Sequence, residues 1–125
     1  MTRSKFEKLA FEIIDWCKER ELWGDSSIYF NGKALSTWNN WEGEEGSKIA
    51  EDVYEYTDKN PLYYFQYAKP ETLSMSFEGP LYMILNAYWE NKTWLSWYEE
   101  FNALFERHGY YFEQGSAWNL SVCED

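Results

Sequence analysis

The run SMSFEGPLYMILN, residues 74–86, constrains the fold more than any other stretch, because the spacing of its apolar residues changes period at one point. Leu73, Met75 and Phe77 alternate with Ser74, Ser76 and Glu78, the two-residue period of a half-buried strand. Gly79 and Pro80 end that pattern, and proline suits a first helical turn, where no amide donor is needed. Leu81, Ile84, Leu85 and Tyr88 then recur at helical spacing, so a strand is expected to turn directly into a helix. Glu78 stands just before that helix, where a carboxylate meets the positive end of the peptide dipole. That is a favourable helix start; a catalytic Glu78 is the alternative.

A core for this chain must be built from large flat rings. Aromatic residues make up 22% of its 125 residues, a size that one domain spanning 1–125 can fill without metal or disulfide help. Some rings must also reach the surface, where they favour recognition of a partner. Asp and Glu number 22 against 11 Lys and Arg, a formal net charge of −11. A field of that sign repels phosphate backbones and anionic lipid and steers toward basic surfaces, which argues against direct nucleic-acid or membrane binding. Cys17 and Cys123 form no framework and have no partner at metal-ligand spacing, so reduced, buried thiols are expected and no cofactor. Glu12 and Asp15 interrupt the first apolar run before it reaches the length of a signal peptide's core, and no stretch approaches a membrane span. A soluble, cytoplasmic protein is expected, in a host cell's cytoplasm if a phage encodes it.

Residues 3–22 place Phe6, Leu9, Ala10, Ile13 and Cys17 on one face, with Glu7, Lys8, Glu12, Lys18 and Glu19 on the others, an amphipathic helix closed by Gly24 and Asp25. Asn31 and Gly32 separate two apolar-rich runs and supply the positive backbone angles of a type I′ hairpin, with strands at 27–30 and 33–38. NNWEGEEG, residues 39–46, reads as an exposed polar loop with Trp38 and Trp41 at its base. SKIAEDVYEY fits a third strand or a short helix, and the strand is favoured because Val53, Tyr54 and Tyr56 prefer pleated surfaces. Asp58 or Asn60 before Pro61 predicts a short helix over PLYYFQYA. After the central strand and helix, a break at Glu90 to Thr93 precedes a helix striped by Trp94, Trp97, Tyr98, Phe101, Leu104, Phe105 and His108 and stopped by Gly109. A second hairpin follows, turning at Gln114 to Ser116, with Trp118, Leu120 and Val122 alternating against Asn119 and Ser121. Strands joined by tight turns predict an α+β fold, a mainly antiparallel sheet with amphipathic helices packed on one face.

Candidate chemistry is sparse. His108 ends the longest aromatic stripe, where the helix carbonyl end favours its cation; as a base it needs a partner, and Cys17 or Cys123 could meet it only through the fold. With 22 carboxylates, a close pair somewhere is expected without any acid–base role. No phosphate-binding loop, nucleophile elbow, zinc-protease or calcium-loop spacing occurs, so no enzyme activity and no metal site are expected.

The acidic excess is concentrated. Glu42, Glu44, Glu45, Glu51, Asp52, Glu55 and Asp58 face a single base, Lys48, between residues 42 and 58. Such a run is commonly a solvated face. Trp38, Trp41, Tyr54 and Tyr56 lie among those acids, however, and carboxylates interleaved with rings suit an Arg- and Lys-rich partner through ion pairs and cation–π contact. These seven acids with Trp38 and Trp41 are the candidate partner-binding residues. In size, acidity and aromatic content the chain resembles the small anti-restriction and anti-CRISPR proteins of phages and mobile elements, several of which occupy the nucleic-acid site of a defence enzyme. The resemblance covers the chain as a type and transfers no residues; it implies an inhibitor that mimics nucleic acid and binds a basic protein, such as a nuclease or restriction complex. Small acidic immunity proteins that neutralise a basic toxin look similar. A small-ligand binder stacking its ligand on Trp and Tyr platforms is the other class. Oligomeric state is not legible.

Overall fold

In the computed structural model, which describes residues 2–124 and the side chains from Lys5 onward, the periodic residues of the first segment wind helix α1 (Thr2–Glu19). Phe6, Leu9, Ala10, Ile13 and Cys17 all turn inward and are buried. The helix stops three residues earlier than expected. Leu22 N–H donates back to Cys17 O at 2.7 Å, closing the turn and burying Leu22 and Trp23.

Strands β1 (Ser26–Phe30) and β2 (Lys33–Ser36) pair around Asn31 and Gly32. Their φ angles of 54° and 76° are the two positive values of the expected turn. A Cβ at Gly32 would meet nothing within 4 Å, so replacing it tests the backbone alone. Gly32→Val is expected to lower stability by roughly 1 to 2 kcal/mol, the cost of a left-handed conformation for a β-branched residue. An unmoved urea midpoint would contradict that.

Residues 39–46 are not an open loop. They form the short hairpin of β3 (Asn40–Trp41) and β4 (Glu44–Glu45), because Glu42 and Gly43 take φ of 53° and 86° and Asn40 Oδ1 accepts from Gly43 N at 3.1 Å. The next segment is two strands rather than one, β5 (Ser47–Ala50) and β6 (Val53–Thr57). Asp52 at φ 59° turns the chain between them. PLYYFQYA yields only a 3-10 turn, Pro61–Tyr63, capped by the Asn60 side chain accepting from Leu62 N at 2.9 Å. The rest of that segment is held as an ordered loop by contacts described below.

The central run behaves as its change of period requires. Strand β7 (Leu73–Phe77) passes through Gly79 and Pro80 into helix α2 (Leu81–Ala87). A Cβ at Gly79 would collide with the carbonyl of Gly24, so the close approach of the two backbones requires glycine at 79. A 3-10 turn, Tyr88–Glu90, precedes helix α3 (Lys92–Glu106), whose N-cap Asn91 accepts from Trp94 N at 2.8 Å. Gly109 at φ 81° stops it. Strands β8 (Tyr110–Ser116) and β9 (Asn119–Glu124) close the chain; their turn falls at Ala117 and Trp118, later than expected, after a register shift between Gln114 and Ser116.

Seven strands make one sheet in the order β5-β6-β2-β1-β7-β9-β8, every ladder antiparallel. The row Leu35, Ile28, Met75, Leu120 runs across four strands and packs under the three helices against Ile13, Leu81, Phe101 and Phe105. The fold is therefore α+β with its helices on one face.

The other face is not solvated, which overturns the half-buried reading of the strands. Ser74 and Ser76 are buried along with Leu73, Met75 and Phe77. The rows Ser36–Ser27–Ser76–Asn119 and Ala34–Tyr29–Ser74–Ser121 are roofed by Trp38, Trp41, Tyr64, Phe65 and Trp118, with Tyr56 beside them, in a second core. Trp118 thus belongs to this face, out of phase with Leu120 and Val122. Small side chains leave room for the rings, and their hydroxyls stitch down the covering loops. Ser27 donates to Ser36 and Ser74 pairs with Ser121, each at 2.9 Å. Ser36 accepts from Trp38 N at 3.1 Å and Ser74 from Lys69 N at 3.0 Å, while Ser121 bonds the Tyr67 carbonyl at 3.3 Å. Unbonded, each buried hydroxyl would cost about 1 to 3 kcal/mol.

Candidate functional site

Trp41 organises the acidic segment by entering the second core instead of facing a partner. It is 6% exposed, with ring centroids of Trp38, Tyr56 and Tyr64 at 5.1, 5.2 and 5.3 Å. Lys59, which no sequence pattern singled out, lies under the same hairpin. Its Nζ stands 4.7 Å from the Trp41 ring centre and 5.6 Å from that of Tyr56, and 3.3 Å from Glu44 Oε1. Burial disfavours that ammonium, but the hydrogen bond it donates to Glu44 and the neighbouring oxygens of Tyr64 and Glu44 outweigh it and hold its pKa above the usual lysine range. Gly46 lets the chain pass, since a Cβ there would lie 2.6 Å from the Tyr56 ring. The β3–β4 hairpin is clasped to the sheet by a buried cation between rings and a carboxylate.

The clasp divides the seven acids. Glu44 is committed to Lys59, and Glu42 accepts from the Tyr64 hydroxyl at 3.4 Å. Glu55 is half-buried and pairs with Lys33 at 3.2 Å; its strand position puts it in the row of Leu35, on the helix side, away from Tyr54 and Tyr56. Asp58 is exposed at φ 55° beside Gly32, in a depression of 260 Å³ shared with Tyr63 and Pro70. Trp38 is half-buried and donates its Nε1 to Asp25 at 3.1 Å. Besides Asp58, three acids remain presented, all of them around β5. Glu45 lies just before β5, and Glu51 and Asp52 just after it, with all four residues of β5 exposed. The turn is pinned through its carbonyls, Asp52 O accepting from Trp23 Nε1 at 2.7 Å and Glu51 O from Lys18 Nζ at 2.6 Å. Its carboxylates are left to solvent, Glu51 sharing Lys48 at 3.4 Å.

The groups weighed for chemistry are placed apart. His108 Nε2 is 3.2 Å from Glu12 Oε1, tying α3 to α1 with Arg107 on the same oxygen. Burial pushes the Glu12 carboxyl up, but its hydrogen bonds to His108 and Arg107 prevail and hold it below the usual range. Cys17 lies in the helix-side core, and burial pushes its thiol far up. Cys123 is on the opposite face, buried, with Lys69 Nζ at 3.4 Å. Glu78 is exposed. Four surface depressions hold 260 to 380 Å³ each, and His108 lines none of them. Among the described residues no three His, Cys, Asp or Glu side chains are grouped to hold a metal, and no helix is long and apolar enough to cross a membrane.

The second core has its own pH signature. Burial raises the Tyr29 phenol to about 12 against a hydrogen bond with Ser76 that opposes the shift. A phenol with a folded pKa above its unfolded value near 10 binds its proton more tightly when folded, so its contribution is whole below pH 10 and lost as pH rises to about 12. Two pKa units correspond to about 3 kcal/mol. Urea midpoints measured across that range are expected to fall for the wild type and to fall less for Tyr29→Phe; parallel profiles would refute the assignment.

The fold and site together define an α+β protein with a sheet buried on both faces and an acidic edge. Comparison of the chain with protein-family models, with curated proteins and with solved structures finds no match in any of the three.

Proposed function

We propose that this protein is a non-enzymatic interaction module that binds a basic protein surface, and that its target is a nucleic-acid-handling defence enzyme whose cationic cleft it occupies in the cytoplasm. The observation that carries the reading is the presentation of Glu45, Glu51 and Asp52 to solvent around one exposed strand, on a chain of net charge −11. Among the described residues Glu45 and Asp52 make no ion pair and Glu51 pairs only with the exposed Lys48 of β5, whereas Glu44 and Glu55 pair with Lys59 and Lys33 across the fold. Immunity against a basic toxin uses the same surface and differs only in the partner.

Replacing Glu45, Glu51 and Asp52 together by lysine raises the net charge by two for each change and leaves the clasp alone. Stability is expected to move little, since exposed charges contribute tenths of a kcal/mol each. Binding to a panel of basic nucleases, measured at low salt, is expected to fall steeply, and wild-type binding to weaken as the Debye length shrinks from about 10 Å at 0.1 M to about 3 Å at 1 M. An equal fall on reversing Asp15, Glu99 and Glu106, exposed on α1 and α3, would reduce the mechanism to net charge. Binding unaffected by the first triple change would remove this edge from it. Tyr67, 66% exposed beside a depression of 290 Å³ lined by Phe65 and Trp118, favours the ligand-binding alternative. A small aromatic or sugar ligand that raised the melting temperature while basic proteins did not would replace the present reading with that one.

A further inference from the structure

We propose that the outer edge of β5 takes up an extended Lys/Arg-rich segment as an added strand, a mode of binding that rests on the function proposed above. Strand β5 ends the sheet order, so the backbone donors and acceptors on its outer side face no strand among the described residues. Ser47, Lys48, Ile49 and Ala50 are all exposed, Ile49 by 42%. An exposed edge of this kind is a template for strand addition, in which main-chain hydrogen bonds supply affinity and flanking side chains choose the partner.

Charge selects the occupant. Glu45 stands at one end of the strand and Glu51 and Asp52 at the other, about 20 Å apart along an extended chain. A second copy pairing antiparallel about the middle of β5 would bring Glu45 against Asp52 at both ends, and parallel pairing would set each acid against itself. Like charges directly opposite destabilise a ladder. A strand carrying Lys or Arg toward its ends reverses the sign of every one of those contacts. Lys48 and the register shift between Lys48 and Ala50 are further guards against indiscriminate pairing. The far edge, β8, lacks this pattern: Glu113 is its one carboxylate, and Tyr67 packs against Gly115 near its end.

The test uses the full chain and an end-blocked peptide alternating Lys and Val, beside the same peptide N-methylated at alternate residues, which keeps its charge and cannot complete a ladder. At low salt the unmodified peptide is expected to slow amide exchange across residues 47–50 and to bind at least roughly tenfold tighter than the methylated one, a difference of about 1.4 kcal/mol. Ile49→Pro, at a position that the ladder with β6 skips, is expected to abolish the difference between the two peptides with the melting temperature retained. Should that variant unfold, the paired peptides on wild type still decide. Equal affinity of the two peptides, or binding without protection of β5, overturns strand addition and leaves the charge-based function standing. No binding of either peptide overturns both.

Discussion

Truncating Phe77 to alanine is expected to lower stability by roughly 3 to 5 kcal/mol, the range for removing a buried ring and leaving a cavity. The residue is fully buried and ends β7 where the chain must turn into α2. Its N–H donates to Trp118 O at 2.8 Å and it stands opposite Ser26 across the ladder with β1. The Gly24–Gly79 contact lies two residues further on and leaves the backbone no slack for collapse around the hole. Denaturant unfolding followed by far-UV circular dichroism measures the loss. An unchanged midpoint would mean that the strand-to-helix joint does not close the core.

Trp41→Ala is expected to cost a comparable 3 to 5 kcal/mol, and by a different route. The ring is the hub of the second core, meeting Tyr29 at 5.9 Å as well as Trp38, Tyr56 and Tyr64. Its removal also strips the nearer ring face from the Lys59 ammonium, leaving that buried cation with Glu44 and the more distant Tyr56 ring. The β3–β4 hairpin is therefore expected to come off the sheet while the helix-side core persists. Amide exchange should quicken at residues 40–46 far more than in α1 and α3. Trp41→Phe, which keeps an aromatic face, should recover most of the loss. Full stability in the alanine variant would show that the hairpin is not held by this ring.

These two residues mark different degrees of legibility. Phe77 sits in a run whose apolar spacing switches from two to three and four, and local geometry alone forces a strand to become a helix there. The Asn31-Gly32 turn and the Gly109 stop were readable for a similar reason, since few residues tolerate positive φ. Trp41 sits among acids and glycines, a composition typical of exposed loops. Its burial depends on a surface made by residues 29, 34, 56, 64 and 65, which no local pattern brings together.

The alternation of small polar with large apolar residues at 73–77 and 119–122 determined which side of each strand meets the helices, and it did so from sequence because side chains alternate strictly along a strand. What the serine-bearing side would meet was not determined locally. A serine is as compatible with water as with a roof of rings, provided that its hydroxyl finds a partner. The tertiary structure decided for the rings: the loops through Trp38, Trp41, Tyr64 and Phe65 cover that face, and Ser36, Ser74 and Ser121 bond their backbones. The acidic segment was settled in the same two stages. Its excess of carboxylates was visible in the residues, but which of them are free depends on Lys59 and Lys33. Those two lysines reach Glu44 and Glu55 only across the folded sheet, so Glu45, Glu51 and Asp52 became the presented charges through tertiary pairing rather than through their place in the chain.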